Sequence, residues 1–345
     1  MFDWARSYAS HWRVFRVNPS TWADGEPLQG VDSLDAVRDS SGEAPLIDSG
    51  TVRVTGEPPE RGWYRFVMTA EQDGTIERVD AITLELSGTG GAHDHGIDTT
   101  EMIGRSTLYP ASVYRLEPGQ YAPAGSDGAE YAARLLRLNC VAPVVVHGGF
   151  RLASNVVPER GVEALELAWQ VVRAGGYIIQ IAGDGTIHIL PEPTEPALLL
   201  DRAAASLLLP KISYKDDYAD VPNRYRVTEG DSWAVAENVD PASAVGLPSV
   251  GYWVDAEPDD NPVRVGGETL HAYARRRLME LSTITSERTY TRKWWPGVLP
   301  GDVVQGSMAS VHLEGNLRVV RQSLACGAGI AVTEMATREV RLWQG

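Results

Sequence analysis

Trp12-Arg13-Val14-Phe15-Arg16-Val17, Thr51-Val52-Arg53-Val54 and Trp63-Tyr64-Arg65-Phe66-Val67-Met68 are the stretches on which the fold turns. In each, apolar groups alternate with Arg or Thr, the period of two that places one face of an extended chain in a core and the other in water. Half-buried antiparallel strands require that pattern. From Trp12 to about Leu86 the sequence therefore reads as strands joined by turns, and a small barrel or sandwich is the natural way to bury their apolar faces. Gly88-Thr89-Gly90-Gly91-Ala92, with the polar run to Thr100, reads as a loop at a sheet edge.

Outward from this block the period changes. Ser126-Asp127-Gly128-Ala129-Glu130 precedes Tyr131, Leu135, Leu136 and Leu138, an apolar face at helical spacing behind a capping residue. Gly161-Val162-Glu163 through Arg173 repeats it with Leu165, Ala168, Trp169 and Val172, and Gly175-Gly176 ends the helix. Tyr177-Ile178-Ile179-Gln180-Ile181, the turn Gly183-Asp184-Gly185, and Thr186-Ile187-His188-Ile189-Leu190 then predict a hairpin. Three prolines in Pro191-Glu192-Pro193-Thr194-Glu195-Pro196 make a stiff connector. Beyond it lie a strand at Asn223-Arg224-Tyr225-Arg226-Val227, a polar loop at Glu257-Pro258-Asp259-Asp260-Asn261-Pro262, and a helix from about Glu268 to Leu281. Strands at Leu317-Arg318-Val319-Val320 and Ile330-Ala331-Val332-Thr333 lead to the end, where no further domain is expected.

No short repeat is present, but strands, a helix-bearing excursion and strands again occur once in each half. The predicted fold class is accordingly α+β and β-rich, with two antiparallel β-barrel, tube-like domains, each carrying an α/β insertion. Residues 1–100, with return strands near 190–212, form the first barrel, and 101–190 its α/β insertion. Residues 213–235 and 285–345 form the second barrel, with 236–284 as a loop-helix insertion.

Composition limits the function. A formal charge of −15 and a pI near 4.9 argue against a protein that grips nucleic acid by neutralising phosphates. Lys211, Lys215 and Lys293 are the only lysines, so arginine supplies most of the positive charge. Cys140 and Cys326 lie far apart among apolar or small residues and predict two buried free thiols rather than a zinc site or disulfide. The N-terminus lacks the basic and apolar regions of a secretion signal, and no apolar run is long enough for a membrane helix, so no membrane anchor is expected and the chain is read as soluble in a reducing cytoplasm.

Catalytic constellations are missing. His93-Asp94-His95 has the spacing of a metal-binding pair, but its glycine-rich setting and lack of further ligands favour a solvated loop. His147, His188 and His271 stand isolated in apolar or helical text and read as packing or surface residues. There is no Gly-x-Ser-x-Gly turn, and Gly88 to Gly91 lacks the Lys-Ser/Thr ending of a phosphate loop. Trp294-Trp295 could face a carbohydrate, but core or interface packing is the better reading. Arg275-Arg276-Arg277 is either a basic patch for an acidic neighbour or a solvated helix face. The expectation is a non-enzyme with no catalytic, cofactor-binding or metal residues and no cofactor.

Several phrases in order resemble the hub proteins of tailed-bacteriophage baseplates and tail tips, the late-control-D and tail-hub superfamily. Asn18-Pro19-Ser20-Thr21-Trp22, Val31-Asp32-Ser33, Leu46-Ile47-Asp48-Ser49-Gly50-Thr51-Val52-Arg53-Val54 and Trp63 to Met68 are similar to the opening barrel of such hubs. Tyr121-Ala122-Pro123-Ala124-Gly125-Ser126-Asp127-Gly128-Ala129 resembles the first insertion, Asp216-Asp217-Tyr218-Ala219-Asp220-Val221-Pro222 to Val227 the strand that opens the second barrel, and Leu299-Pro300-Gly301-Asp302-Val303-Val304 its closing strands. The resemblance implies a virion protein of the tail tip or baseplate, assembled in the host cytoplasm. It further implies a homotrimeric ring between the six-fold tail tube and the three-fold tip. A distal tail protein or tail tube protein would lie above, and tip, spike or receptor-binding proteins below. The tape-measure protein and DNA would pass through without specific binding, and the acidic excess in residues 1–100 would suit the wall of that passage. Alternative readings are a tail-associated cell-wall hydrolase or a carbohydrate-binding tail-tip module; many relatives carry a C-terminal extension with such a module, and this chain ends straight after its last strands.

Overall fold

The computed structural model describes residues 2–4, 6–40, 47–56, 58–94, 97–153, 155–201, 208–259, 268–326 and 330–343. The chain divides into two compact units. The first comprises Met1–Ile212 and Thr289–Ala336, the second Ser213–Arg288 and Thr337–Gly345.

In the first unit the alternating text forms β1 (Ala9–Val17), β2 (Asp24–Leu28), β3 (Val31–Asp39), β4 (Ile47–Thr55), β5 (Gly62–Gln72), β6 (Thr75–Asp94) and β7 (Ile97–Arg105). After the insertion come β11 (Pro196–Leu200), β12 (Leu208–Lys215), β15 (Thr283–Lys293), β16 (Val303–Met308), β17 (Leu313–Cys326) and β18 (Ile330–Arg341). The boundary between the units falls within β12, β15 and β18. These strands belong to one thirteen-stranded sheet of order β12-β15-β18-β17-β3-β4-β7-β6-β5-β1-β2, with β16 paired to β17 and β11 to β16.

That order corrects the expected barrels. β12 and β2 stand at opposite ends and no hydrogen bonds join them, so among the described residues no sheet closes into a barrel. The physical reason lies in β17. Its first half pairs with β16 (Leu313↔Met308 to Arg318↔Val303), and its second half pairs with β3 (Arg321↔Asp39 to Cys326↔Leu34). One long strand thus joins N-terminal and C-terminal strands edge to edge. Alternation reports only that a strand has a buried face, whereas closure depends on tilt and register between strands, which alternation does not encode.

The central strand β5 also departs from simple alternation, because Trp63 through Met68 are all buried. A register shift opposite Phe66 and Val67 leaves Ala81 of β6 as the extra residue of a bulge. The face carrying Arg65 is covered by the turn Gly183-Asp184-Gly185. Arg65 Nη2 donates to the carbonyls of Trp22 and Asp184, both at 3.1 Å, and Nη1 to Asp24 Oδ1 at 2.8 Å. Thr83 Oγ1 donates to Gly183 O and Trp22 Nε1 to Asp184 O. Only glycine fits at position 183, where a Cβ would lie 1.7 Å from Asp80 O.

The helices form as their spacing predicts. α1 (Tyr109–Val113) is short. α2 (Gly128–Asn139) is capped by Asp127, whose Oδ1 accepts from Glu130 N at 3.2 Å, and α3 (Ala164–Ala174) ends at Gly175. They cover a small sheet of β8 (Val144–Val146), β10 (Ile187–Pro191) and β9 (Tyr177–Ile181), in which β8 is parallel and β9 antiparallel to β10. Its core includes Leu136, Leu167, Val172, Ile187 and Ile189. A second core under the large sheet contains Phe66, Met68, Leu84 and Trp294, and a third contains Tyr290, Val304 and Leu317.

In the second unit, β13 (Arg224–Glu229) and β14 (Ser232–Glu237) form a hairpin over α5 (Leu270–Leu281); α4 (Leu247–Val250) is a single turn. Tyr225, Val227, Ala234, Tyr273, Leu278 and Trp343 make its core. Thr269 Oγ1 caps α5 by accepting from Ala272 N, and Asn223, fully buried, accepts from Val254 N and donates to Tyr252 O.

Candidate functional site

The residues singled out in the sequence scatter. His95 lies outside the described residues, as do the side chains of His93, Asp94 and Cys326. His271 is exposed on α5. Cys140 is a free thiol but only partly buried, contrary to the expected full burial, and that burial still pushes its pKa up to about 11, where a nucleophilic thiolate is not populated at neutral pH. Trp294 is buried against Trp4, with ring centroids 6.2 Å apart, and Trp295 packs partly against the same core. Trp294 is thus closed to a surface ligand, and Trp295 is half-buried. Two members of the basic triplet are paired within α5 and its N-terminal flank: Arg276 donates to Glu268 and Glu280, and Arg277 to Glu280, while Arg275 is exposed. Among the described residues no group of three or more His, Cys, Asp or Glu could hold a metal ion.

Two hollows of the first unit do not supply chemistry either. One of about 640 Å³ between β1, β2 and β3 is lined by Ser10, His11, Ser33 and Asp32 among others, but no hydrogen bond among the described residues joins His11 to either serine or to Asp32. Asp32 instead accepts from Thr55 Oγ1. A second of about 630 Å³ is lined mainly by small residues such as Ala36, Gly50 and Ala325. A nucleophile needs a base within hydrogen-bond reach, and neither hollow provides one.

Charge inside the first unit serves the fold. Arg292 Nε and Nη2 donate to both oxygens of Glu334 at 2.8 and 2.6 Å, and Gln322 Nε2 donates to Glu334 Oε1 at 2.7 Å. All three side chains are almost fully buried. Burial and the Glu334 carboxylate push the Tyr290 hydroxyl well up. Arg38 and Asp48 form another buried pair, Nε to Oδ2 3.6 Å, and Arg38 Nη2 donates to Ala81 O. Burial raises the Asp48 pKa to about 6, against the pull of Arg38.

The phrase Leu299-Pro300-Gly301-Asp302 forms the expected turn, with Gly301 at φ +97° and Asp302 N donating to Leu299 O. Gln180 of β9 donates to Pro300 O and Asp302 Oδ1, both at 3.1 Å, a partnership that no local pattern announces. Sequence reasoning also missed a pair of histidines. His147 and His188, read as isolated, face each other with His147 Nε2 and His188 Nδ1 2.8 Å apart. Parallel pairing of β8 with β10 brings them together, and no spacing in the sequence signals it.

Apolar side chains left in solvent include Tyr121, Leu138 (75% exposed), Val141 and Val157 in the first unit and Trp233 (69%), Val239 and Tyr252 in the second. Singly exposed aliphatic groups are ordinary, whereas aromatic ones such as Trp233 and Tyr252 are enriched where partners meet.

No family model and no curated protein matches the sequence. Solved structures do. The fold is similar to that of the tail protein from Neisseria meningitidis MC58, with a TM-score of 0.65 at 14% identity over 96% of this chain and 97% of that one. It is also similar to the 43 kDa tail protein of prophage MuSo2 from Shewanella oneidensis, with a TM-score of 0.62 at 14% identity over 95% and 98% of the two chains.

Proposed function

We propose that this chain is a non-catalytic structural component of a bacteriophage tail or a related injection particle, placed at the tail tip as a homotrimeric hub. The observation that carries this reading is likeness of fold along nearly the whole length to two tail proteins. The likeness spans both units and so does not come from one common module. Exposed Trp233 and Tyr252 support a life in an assembly, because aromatic groups are enriched where partners meet. The absence of an activated nucleophile or a three-ligand metal cluster among the described residues fits a connecting role.

Three copies in a ring would adapt a six-fold tube to a three-fold tip, since closed rotational symmetry lets one surface be reused around an axis. Tube or distal tail protein would bind on one side and tip, spike or receptor-binding proteins on the other. A net charge of −15 would keep DNA and tape-measure protein from adhering as they pass. Light scattering and electron-microscopy class averages of the purified chain test the proposal. A three-copy particle with a central opening is the expected result. A monodisperse monomer at high concentration, with labelled chain missing from tail tips, would overturn it.

A further inference from the structure

The histidine pair in the small sheet has a use that the structural role does not require. His188 lies on β10 between Ile187 and Ile189, both fully buried, so its ring is fixed on the opposite face of that strand. In register, His188 is flanked by Val145 of β8 and Gln180 of β9. His147 follows β8 directly, and its backbone is held by donation from its N–H to Ile189 O at 2.8 Å. The two rings are nearly parallel, 29° between planes and 5.1 Å between centroids, and their polar edges meet at the 2.8 Å contact.

Two like imidazoles so close disfavour charge on each other. Burial first, and the neighbouring His147 second, hold the His188 pKa below its usual value, while Asp184 acts in the opposite sense. Neutral imidazole is the form that ligates metals. His147 is exposed and His188 half-buried, so an ion has access from solvent. Two nitrogens bound tetrahedrally at about 2.0–2.1 Å from one ion lie roughly 3.3 Å apart. The facing nitrogens now point at one another, so binding needs the His147 side chain to swing off the direct N···N line, a movement its exposure permits.

We propose that His147 Nε2 and His188 Nδ1 together bind one borderline divalent transition-metal ion, such as Zn²⁺, Ni²⁺ or Cu²⁺, at the surface of the small sheet. Imidazole pairs favour these ions over Mg²⁺ and Ca²⁺, which prefer oxygen donors. In the metal-free pair one facing nitrogen carries the proton of the N–H···N bond. On binding, each neutral ring keeps one proton, moved to His147 Nδ1 and His188 Nε2, so no proton is released. Two protein ligands leave the remaining positions to water or to a donor from a neighbouring molecule. The inference stands apart from the tail assignment, because it rests on these two strands alone.

The test is titration of the full chain with Cu²⁺, followed by electron paramagnetic resonance, and with Zn²⁺, followed by calorimetry. One equivalent per chain should bind, with nitrogen hyperfine structure in the copper spectrum. His147→Ala and His188→Ala should each abolish that stoichiometric step, while a His93→Ala/His95→Ala double variant retains it. Circular dichroism verifies that each variant is folded. Absence of saturable binding in the native chain, or binding unchanged in folded His147→Ala and His188→Ala, would overturn the proposal.

Discussion

The two units place their charges differently. In the first, Arg38, Asp48, Arg292 and Glu334 lie inside the sheet cores, each no more than 2% exposed. In the second, most ion pairs sit at the surface: Arg224 with Asp255, and Arg276 and Arg277 with Glu268 and Glu280. Arg288, enclosed in this unit, pairs with Asp216, whose carboxylate remains partly solvated. Where strands of the large sheet have buried positions, as along Trp63 to Met68 of β5, a charge placed there must find its partner inside. A hairpin over one helix has a single buried layer, so its charges stay in water. Loss of a partner should therefore be severe in the first unit and mild in the second.

The largest effect is expected at Glu334. Glu334→Ala removes the acceptor of three hydrogen bonds and leaves Arg292 charged, dry and without its carboxylate. Breaking a buried pair in this way costs about 3–5 kcal/mol. Glu334→Gln keeps an acceptor for Gln322 and should lose less. Chemical denaturation followed by tryptophan fluorescence measures both, since Trp294 lies next to this strand pair in sequence and core. Equal, small losses for the two variants would remove the contrast between the units.

The pH dependence sharpens it, because the two units should respond with opposite signs. Burial raises Asp48 from 3.8 to about 6, so the folded chain binds that proton more tightly than the unfolded chain. Its contribution is most favourable below the unfolded value, declines as pH rises from 3.8 to about 6, and is then constant, a change of about 3 kcal/mol. Asp216 is held below its usual range, chiefly by the hydrogen bond from Arg288. Its stabilisation is present above the unfolded value and is lost as pH falls through the lowered one. Subtracting the Asp48→Asn stability curve from the native one should reveal a decline between pH 4 and 6, and the same subtraction for Asp216→Asn a rise at lower pH. A flat difference for Asp48→Asn would show that its carboxyl is not buried in the charged state.

What the sequence disclosed was local. Helices α2 and α3, with Asp127 as cap and Gly175 as stop, and the β9–β10 hairpin follow from spacing and turn residues alone. The Pro300-Gly301 turn was equally legible, because a positive φ calls for glycine. Sheet closure was not, since it is decided by which strand lies beside which over long separations, as β17 beside β3. The burial of Arg65 failed for the same reason: its cover comes from Asp184, 119 residues away. The histidine pair depends on parallel strands joined by a crossover, and no property of residues near 147 or 188 encodes that meeting.

The smallest effect is expected on α5, and it tests the other side of the comparison. Arg277 Nη1 lies 2.5 Å from Glu280 Oε2 at a spacing of three residues, with both side chains about 40% exposed. Water already solvates each group, so forming the pair exchanges one favourable environment for another and restrains two long side chains. Arg277→Ala should thus lower stability by no more than about 0.5 kcal/mol, and less at high salt, where screening removes most of the attraction. Denaturation of native and variant chains at low and high ionic strength reads both quantities. A loss that approached the Glu334→Ala value, or that survived high salt, would mean that Arg277 acts through packing against Tyr225 and Tyr273. The charges of the second unit would then be as structural as those buried in the first.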